Sequence, residues 1–410
     1  GQRTDEYKRI EKGEARIVIG TRSAVFAPLD NIGIIVIDEE GEHTYKSEKS
    51  PRYQARSIAK QRCFYHNATL LLASATPSLE SAYFASIGRY KLFEMKKRYS
   101  QPVLPDVYLV DMKVEVETGN RSNFSRALAD EIKNNLQRGE QTILLLNRRG
   151  YNTYMNCIKC GEVYKCPNCN IPLTYHKTNN CMICHYCGYT YAVPTACPAC
   201  GGVELMNRGF GTEKIEDDIK QIFPEAKVAR MDLDTTRTRT AYERIINDFE
   251  EGKTDILIGT QMISKGLDFD RVSVVGILNA DSMMNYPDFR SYERAFQLMA
   301  QVAGRAGRKN KQGLVVLQTK SPENPLIHQI MANDYARLYR EQMEERSLFK
   351  YPPFYRLIYV YLKHRKEDIL NQAADLMAAH LRQGMGERIL GPDKPPVARI
   401  QSLFIRKIVI

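Results

Sequence analysis

Residues 250–260 read EEGKTDILIGT, and residues 11–21 read EKGEARIVIGT. Six of these eleven positions are identical, and in both copies an apolar run of strand length leads directly into Gly-Thr. A second apolar run follows each copy and ends at a carboxylate, Asp38 in the first and Asp281 in the second. A repeat of this size indicates two related α/β lobes, which we favour over chance similarity among common strand residues.

Strand-like apolar runs alternate with amphipathic stretches along most of the chain, as is typical of βαβ units and a parallel sheet. We therefore predict an α/β fold with two parallel-sheet lobes, the first of them incomplete. Ser50 as N-cap and Pro51 at the first helical position predict the start of one helix. The predicted strands are 16–20, 34–38, 69–73, 142–146, 255–259, 272–278 and 314–318, and the predicted helices are 50–61, 78–87, 125–137, 213–222, 239–250 and 290–300.

Five segments follow from the repeat, the Cys-rich stretch and the sequence Tyr351-Pro352-Pro353. The last segment is predicted to be a partial α+β domain that ends within a strand-like run. The predicted segments are a partial first lobe (1–97), a linker with the start of the second lobe (98–156), a Cys-rich insert (157–203), the rest of the second lobe (204–347) and the C-terminal domain (348–410).

The composition is that of a globular protein, with 43% hydrophobic and 26% charged residues among 410. Its apolar runs fall far short of the roughly 18 residues of a membrane span, so we expect no membrane partner. The polar start shows no secretory signal pattern, and Gly1 is not a Met, so we expect a fragment. Clustered Cys-x-x-Cys pairs without such a signal favour metal thiolates in a reducing compartment, which predicts a cytoplasmic protein. The net charge of +11 fits a nucleic-acid partner, although a generic basic surface explains it about equally well.

Nine of the ten cysteines lie between Cys157 and Cys200, and eight of them form four Cys-x-x-Cys pairs. Each pair places two thiolates on one tight turn, so four pairs can supply two tetrahedral zinc sites. We favour a nested arrangement, in which the second and third pairs form an inner site and the first and fourth an outer site. Sequential pairing is the alternative, Cys181 could also pair with Cys184, and disulfides are less favoured without a secretory signal. In chain order the pairs are Cys157/Cys160, Cys166/Cys169, Cys184/Cys187 and Cys197/Cys200.

Three adjacent acids, Asp38-Glu39-Glu40, follow the predicted strand 34–38 of the first lobe. Sites in parallel α/β sheets lie where strands end, and adjacent carboxylates there suit Mg²⁺-nucleotide chemistry. We expect Asp38 to hold the metal and Glu39 to orient and deprotonate the attacking water. A solvated acidic loop is an equally simple interpretation of these residues alone.

The next predicted strand ends in Ser74-Ala75-Thr76-Pro77. Hydroxyl groups at a neighbouring strand end could hydrogen-bond the acids and sense the γ-phosphate. The simpler alternative is a helix start, with Thr76 as the N-cap and Pro77 at the first helical position. Both interpretations can hold together.

Two glycine-containing stretches carry the candidate chemistry of the second lobe, residues 259–269 (GTQMISKGLDF) and 301–308 (QVAGRAGR). Arg305 and Arg308 are three residues apart, a spacing that places two side chains on one helix face. Such arginines could stabilise the charge of a triphosphate in an arginine-finger role. The alternative is a pair of surface arginines, against which the neighbouring glycines argue, because they let the backbone approach another surface.

In this order and spacing, Asp38-Glu39-Glu40, Ser74-Ala75-Thr76, residues 259–262 and residues 301–308 resemble the motifs of superfamily 2 helicases. Residues 145–151 (LLNRRGY), before the cysteines, and 209–213 (GFGTE), after them, narrow the resemblance to primosomal replication-restart DNA helicases of the PriA type. The resemblance covers nearly the whole chain. It implies two RecA-like lobes that use ATP and Mg²⁺, and an insert that holds two zinc ions. It also implies an enzyme that unwinds DNA in the 3′ to 5′ direction at stalled forks and then starts primosome assembly. Such a protein would act in the cytoplasm, at the nucleoid.

The chain departs from this family at two places. Gly41 stands where the acidic motif usually has a histidine, and the nearest histidine is His43. No Gly-x-x-x-x-Gly-Lys-[Ser/Thr] loop occurs in the 410 residues, and residues 209–214 are only distantly similar to one. The family carries that loop and a DNA-end-binding region before the point where this chain begins. We therefore expect weak ATP binding and no hydrolysis by this chain alone.

The resemblance also implies roles for individual residues. Forked and single-stranded DNA, primosome proteins and single-stranded-DNA-binding protein are the expected partners. For each DNA candidate, an exposed cation or a packed tyrosine is an equally good interpretation. The implied nucleotide-binding or coupling residues are Glu40, Ser74, Thr76, Gly266, Asp268, Gln301 and Gly304, and the implied DNA-binding residues are Arg22, Tyr45, Lys46, Arg52, Tyr53, Thr212, Thr260 and Lys265.

Two other functions compete with this one. A non-catalytic module could use the lobes only as a scaffold for a zinc-containing DNA- or protein-docking surface. A different superfamily 2 DNA translocase would share the nucleotide motifs, but a Cys-rich insert inside the second lobe argues against it.

Overall fold

The computed structural model divides into two compact units, Gly1–Met95 with Asn333–Glu345, and Lys96–Ala332 with Arg346–Ile410. Among the described residues, none of the helices combines the length and the apolar character needed to cross a membrane. The structure describes residues 2–47, 50–95, 105–146, 154–157, 160, 163–176, 181–184, 187–203, 205–208, 211–232, 234–264, 269–285, 288–307 and 312–410.

The first unit contains a parallel strand pair flanked by helices. Ala55, Ala59 and Cys63 form the buried stripe of the second helix, which packs on both strands. The elements are α1 (Gln2–Glu11), β1 (Ile34–Ile37), α2 (Ala55–His66), β2 (Thr69–Leu72) and α3 (Leu79–Ser86). Predicted strands 34–38 and 69–73 are therefore confirmed as neighbours, with Ile34 opposite Thr69 in register.

Three local predictions for this unit are wrong. Residues 16–20 are not a strand, and Ile17 and Ile19 are 82% and 94% exposed. A short run of β-branched apolar residues gave the strand signal, but a strand also needs a neighbour for its backbone groups. Helix α2 begins at Ala55 rather than near Ser50, because the preceding backbone is extended at Gln54, which pairs with Lys46.

The third correction concerns the start of α3. Its N-cap is Ser78, whose hydroxyl accepts a hydrogen bond from the Ser81 backbone N–H at 3.2 Å. The alternative in which Thr76 caps this helix is therefore wrong. Ser78 lies two residues later and has the extended backbone typical of an N-cap. Its short hydroxyl side chain accepts a hydrogen bond from a backbone N–H of the first turn that has no partner within the helix.

The second unit is built on a six-stranded sheet in which every neighbouring pair is parallel. Its strands are β3 (Asp106–Asp111), β4 (Gln141–Leu145), β10 (Val228–Met231), β11 (Ile256–Gly259), β12 (Val272–Ile277) and β13 (Leu314–Thr319), in the order β10-β11-β4-β12-β13-β3. All four strands predicted here are present, and β3 and β10, which the sequence interpretation missed, complete the edges.

Helices cover this sheet and supply its core. Leu128 and Ile132 of one helix and Ile215 and Ile219 of another are fully buried against the strands. All five residues of β4 are buried, as expected for a central parallel strand covered on both faces, and residues 143–145 are apolar. The helices are α4 (Met112–Glu117), α5 (Arg126–Arg138), α6 (Thr212–Ile222), α7 (Arg239–Glu250), α8 (Asp281–Met284), α9 (Ser291–Ala303) and α10 (Pro325–Met331).

The Cys-rich insert leaves the sheet after β4 and returns to it at α6. It forms an antiparallel five-stranded sheet in the order β8-β7-β6-β5-β9. The outermost pairing along the chain, between its first and last strands, closes the base of the insert. Its strands are β5 (Tyr154–Cys157), β6 (Thr174–His176), β7 (Cys181–Ile183), β8 (Thr190–Ala192) and β9 (Leu205–Arg208).

A small α+β domain follows helix α11 (Tyr335–Leu348), as predicted. One long helix packs on an antiparallel sheet, with Ala378, Ile389 and Ile408 in its core. The elements are β14 (Tyr359–His364), α12 (Glu367–Met385), β15 (Leu390–Asp393), β16 (Arg399–Ile400) and β17 (Leu403–Val409), with β17 between β14 and β15 and also paired with β16. The α/β class, the large parallel sheet and the inserted Cys-rich region are thus confirmed.

Candidate metal centres and nucleotide motifs

The structure brings eight cysteines into two clusters of four, and in each cluster all sulfurs lie within 4.8 Å of one another. In the outer cluster, the Sγ atoms of Cys157 and Cys200 are 3.6 Å apart. In the inner cluster, Cys166 and Cys187 are also 3.6 Å apart. Four sulfurs at about 2.3 Å from a tetrahedral zinc ion are about 3.8 Å from one another. The donor sets therefore fit zinc.

The nested pairing is confirmed. The outer cluster is Cys157, Cys160, Cys197 and Cys200, and the inner cluster is Cys166, Cys169, Cys184 and Cys187. The sequential pairing is wrong, because β6 and β7 form a hairpin that returns the third pair to the second. Cys181 lies in β7 outside both clusters.

A repeated turn holds three of the four Cys-x-x-Cys pairs. The backbone N–H of Asn170 donates to the carbonyl of Cys166, and Gly188 and Gly201 repeat this bond in the third and fourth pairs, each at 2.8 Å. Each of these three residues directly follows the second cysteine and has a positive φ, at 55°, 75° and 69° respectively. Gly and Asn tolerate this left-handed backbone best. The sequence signal is therefore Cys-x-x-Cys followed by Gly or Asn.

Tyr164 lies beside the outer cluster with 7% exposure. Burial, together with the neighbouring Cys197 thiol, raises the pKa of Tyr164 to about 12. A tyrosine hydroxyl is already protonated at neutral pH, and the raised pKa keeps it neutral further into the alkaline range, so it adds no negative charge next to the four thiols.

The acidic motif in the first unit places its three carboxylates in three environments. Asp38 is exposed, Glu39 is half-buried and Glu40 is 1% exposed. The backbone N–H of Glu39 donates to Asp38 Oδ1 at 2.9 Å, and Glu39 has a φ of 48°. The backbone N–H of Glu40 donates to the carbonyl of Ala73 at 3.0 Å, which ties the motif to the end of β2. Of the three carboxylates, the first two are accessible to a ligand.

Glu40 forms a buried network that the sequence did not reveal. Its carboxylate accepts hydrogen bonds from the Ser78 backbone N–H at 2.6 Å and from the Ser81 hydroxyl at 3.0 Å. It also accepts a short hydrogen bond from the Arg56 guanidinium in α2. Glu40 therefore joins the acidic motif to the starts of α2 and α3. The sequence contains no pattern that identifies Arg56 as its partner.

Ser74 and Thr76 form the turn between β2 and α3. The backbone N–H of Thr76 donates to Ser74 Oγ at 3.1 Å. Ser74-Ala75-Thr76 thus lies just before Ser78 in the chain, and the Ser78 backbone N–H is hydrogen-bonded to the Glu40 carboxylate. A role in sensing a phosphate remains a prediction.

Three of the predicted DNA contacts in the first unit take part in packing. The Arg22 guanidinium donates to the carbonyls of Thr44 and Lys46 at 2.7 and 2.8 Å, and it lies 5.7 Å from the centre of the Tyr53 ring. The Tyr45 hydroxyl donates to the Asp38 carbonyl at 2.7 Å. Burial, followed by the nearby Asp38 carboxylate, raises the pKa of Tyr45. The loop after the acidic motif is therefore bonded directly to that motif.

Lys46 and Arg52 present a different case, because both side chains are exposed. They are the two candidate cations of this loop that solvent reaches freely. Their assignment to DNA remains a prediction.

In the second unit, Thr260 follows β11 and is half-buried. Gly259 before it has no room for a side chain, since a Cβ there would lie 2.5 Å from Ile263 Cγ2 and 3.0 Å from the Met231 carbonyl. This turn is therefore tightly packed against the neighbouring strand. The predicted site residues Lys265, Gly266 and Asp268 lie outside the described residues.

The predicted arginine pair needs a correction. Helix α9 carries Gln301 but ends at Ala303, with Gly304 as its C-cap. Arg305 lies beyond the helix, so the prediction of a shared helix face with Arg308 is wrong, and Arg308 itself is outside the described residues. Four residues after the end of the helix, the backbone N–H of Gly307 donates to the carbonyl of Val272 at 3.2 Å.

Thr212 is buried at the first position of α6, and its hydroxyl donates a short hydrogen bond to the Asp232 carboxylate. Asp232 also pairs with Arg230 at 3.0 Å. The Thr212 side chain therefore bonds within the protein in this structure. Gly209 and Phe210, which precede it, lie outside the described residues.

Family models match two parts of the chain. One described as the PriA DNA helicase Cys-rich region (CRR) domain matches residues 166–191, which hold the inner cluster. Another, described as the helicase conserved C-terminal domain, matches residues 210–310. Both matches fall in the second unit, on the insert and on the sheet that resumes after it.

Curated relatives extend the similarity over the whole chain. Replication restart protein PriA of Bacillus subtilis (strain 168) is 43% identical over 412 residues, covering 100% of this chain and 51% of that protein. The protein of the same name from Chlamydia trachomatis is 44% identical over 361 residues, covering 87% of this chain and 48% of that protein. The chain thus spans about half the length of the curated relatives it matches.

A solved structure of RecG bound to a three-way DNA junction is 15% identical, with a TM-score of 0.44, and covers 84% of this chain and 34% of that chain. That similarity is too weak to carry an argument. The stronger findings are the identity with curated relatives along the whole chain and the match of the PriA Cys-rich-region model to residues 166–191, which hold the inner Cys₄ cluster. Together these show that the chain belongs to the PriA replication-restart protein family.

Proposed function

We propose that the protein containing this chain is an ATP-dependent DNA helicase that moves 3′ to 5′, remodels stalled replication forks and starts primosome assembly. The observation that carries the proposal is the position of the insert. Two Cys₄ clusters interrupt a parallel-sheet unit between β4 and α6, in a chain 43% identical to a replication restart protein along its length. Acting on chromosomal DNA would place the protein in the cytoplasm, at the nucleoid.

The environments of the three acids support their proposed division of roles. The exposed Asp38 supplies the carboxylate for Mg²⁺, and the half-buried Glu39 orients and deprotonates the attacking water. Bound Mg²⁺ would neutralise charge on the phosphates of ATP. Glu40 is already committed to Arg56 and Ser78, so its role is to hold the other two in place.

The remaining proposed roles follow the family motifs. Gln301 and Gly304 would contact nucleotide from the end of α9, and Arg305, with Arg308, would stabilise phosphate charge. Lys46 and Arg52 are the proposed DNA contacts that the structure leaves exposed. The other proposed residues are Ser74, Thr76, Gly266 and Asp268 for nucleotide coupling, and Arg22, Tyr45, Tyr53, Thr212, Thr260 and Lys265 for DNA.

The test is unwinding of forked DNA by the longer natural protein that contains these residues. We expect Glu39→Gln to abolish unwinding and ATP hydrolysis while zinc content stays at two per chain. Glu14→Gln, which changes an exposed carboxylate of the same unit, should leave both activities intact. Unwinding of substrates with 5′ tails rather than 3′ tails would overturn the polarity, and full activity of Glu39→Gln would overturn the site.

We further propose that this chain alone does not hydrolyse ATP, since its 410 residues contain no phosphate-loop motif. The measurement is phosphate release by the purified chain with and without single-stranded DNA. DNA-stimulated release that Glu39→Gln abolishes would contradict this proposal.

A non-catalytic docking role is the second candidate for the chain by itself. It is favoured because both Cys₄ clusters and the C-terminal domain belong to one compact unit that does not include the acidic motif. The proposed partners are forked and single-stranded DNA, primosome proteins and single-stranded-DNA-binding protein. Binding of a fluorescent fork by the zinc-loaded chain, lost after chelation, would support this role, and binding unaffected by chelation would contradict it.

A further inference from the structure

The C-terminal domain carries a hairpin whose turn has an unusual backbone. Strands β16 and β17 are joined by Gln401 and Ser402, with φ values of 50° and 64°. Two-residue hairpin turns with positive φ at both positions strongly favour Asn, Asp and Gly. Neither residue here is of that kind, so the turn adopts a conformation that costs free energy and that surrounding contacts must hold.

Those contacts lead to the inner zinc site. The Gln401 backbone N–H donates to Cys169 Sγ at 3.4 Å, and the Ser402 backbone N–H donates to the Asn168 carbonyl at 2.9 Å. The Ser402 hydroxyl lies 3.5 Å from Asn168 Oδ1. Ile400, just before the turn, packs against the hydrophobic cluster that includes the inner-site cysteines. Two backbone donors thus bond to a single Cys-x-x-Cys turn, and one apolar side chain packs on the core around it.

These contacts are of the kind that tunes a metal site. A zinc-bound thiolate keeps negative charge on its sulfur, and an N–H donor aimed at that sulfur stabilises the charge and fixes the ligand. Asn168 connects further, since its side-chain Nδ2 lies 4.0 Å from Cys187 Sγ. The hairpin turn therefore contacts Cys169 directly and Cys187 through Asn168.

The same hairpin is fixed to the rest of its domain. Strand β17 pairs with β14 and β15 as well as with β16. Helix α12 packs on β17, so anchoring the turn also anchors the small domain. An interaction that holds the turn therefore also holds the C-terminal domain against the insert.

We propose that the β16–β17 turn is the outer shell of the inner zinc site, so that zinc binding there and docking of the C-terminal domain stabilise each other. Linkage makes the effect reciprocal. The factor by which docking of the C-terminal domain raises the affinity of the inner site for zinc equals the factor by which bound zinc raises the equilibrium constant for docking. The outer site is the internal reference, because the contacts of Gln401 and Ser402 with the insert go to the Asn168–Cys169 turn.

The first test disturbs docking and measures each zinc ion. Ile400→Asp places a charge against the inner-site cluster, and Ile400→Val is the matched control. We expect about a tenfold faster release of one zinc ion to a chromogenic chelator, the order seen when outer-shell partners of metal ligands are lost. The second zinc ion and the Ile400→Val variant should release as in the unchanged chain.

Cadmium substitution identifies which site responds. With ¹¹³Cd at both sites, two Cys₄ resonances are expected, and one is assigned to the inner site by its loss in Cys187→Ala. In Ile400→Asp, the inner resonance should shift and the outer one should not. Equal shifts of both, or a shift of the outer one alone, would overturn the proposal.

The second test runs in the opposite direction and does not depend on the folding of the Ile400 variant. Cys187→Ala removes an inner ligand, and Cys200→Ala removes its half-buried counterpart in the outer site. We expect hydrogen exchange of the Gln401 and Ser402 amides to accelerate at least tenfold in Cys187→Ala and to stay unchanged in Cys200→Ala. Equal protection in both variants would overturn the linkage.

Discussion

The zinc insert and the acidic motif each place several ionisable side chains within a few residues of one another, yet different forces arrange them. In the insert, local turns hold the two thiols of a Cys-x-x-Cys pair together, and the β6–β7 hairpin brings the second and third pairs to one site. In Asp38-Glu39-Glu40, three adjacent carboxylates are separated into exposed, half-buried and buried positions by contacts with α2, β2 and α3. Covalent spacing therefore supplies the two ligands of each pair, whereas the grouping of pairs into sites and the roles of neighbouring acids depend on how the chain folds.

The largest expected effect is the loss of an inner zinc ligand. Cys184→Ala should lower zinc content from two to one per chain and remove the exchange protection of β6–β8, because a structural zinc ion contributes on the order of 10 kcal/mol to its domain. Zinc analysis and hydrogen exchange measure this.

The control is Cys181→Ala, which changes a cysteine of the same strand region that lies outside both clusters. It should keep two zinc ions. One zinc ion in that variant, or two in Cys184→Ala, would contradict the two ligand sets that the structure shows.

The next effect concerns the buried carboxylate. Glu40→Ala should reduce the free energy of opening at the start of α3 by about 3 kcal/mol, since it leaves Arg56 and two serines without their common acceptor. Native-state hydrogen exchange of the α3 amides measures the change.

Glu39→Gln is the matched variant, one residue away and half-buried. Its effect on the same amides should stay below about 0.5 kcal/mol. Equal effects of the two substitutions would contradict the division of the acidic motif into a supporting and a reacting part.

A smaller effect tests the local turns of the insert. Gly188→Ala and Gly201→Ala should each destabilise their zinc site by about 1 to 2 kcal/mol, the cost of a left-handed backbone for an L residue. An added Cβ meets nothing within 4 Å at either position, so backbone conformation is the only cause. The measurement is competition for zinc with a chelator of known affinity, and an unchanged competition curve would contradict the local-turn account.

The smallest effect is expected at the third turn. Asn170 has a φ of 55° and already carries a side chain that tolerates this region. Asn170→Gly should therefore change zinc competition by only a few tenths of a kcal/mol, in the stabilising direction. A loss comparable to that of Gly201→Ala would show that the Asn side chain itself supports the inner site.

The sequence interpretation succeeded where one strong local signal was enough. Apolar runs predicted the central strands β4, β11, β12 and β13, and the predicted bounds of α7 match the structure. It failed for 16–20, because an apolar run alone does not supply a neighbouring strand. It also failed for Arg305, since the helical spacing was extended past Gly304, where the helix ends.

By itself, the sequence determined the α/β class, the position of the Cys-rich insert and, through the order and spacing of four Cys-x-x-Cys pairs, the ligands available for two zinc sites. Only contacts between separate parts of the folded chain bury Glu40 on Arg56, bond Arg22 to the loop after the acidic motif and Tyr45 to Asp38, and bring the Gln401 N–H to Cys169. The physical reason is the range of the interactions. Turn geometry and ligand spacing act over a few residues, whereas the hydrogen bond from Gln401 to Cys169 joins positions 232 residues apart that only the folded chain brings together.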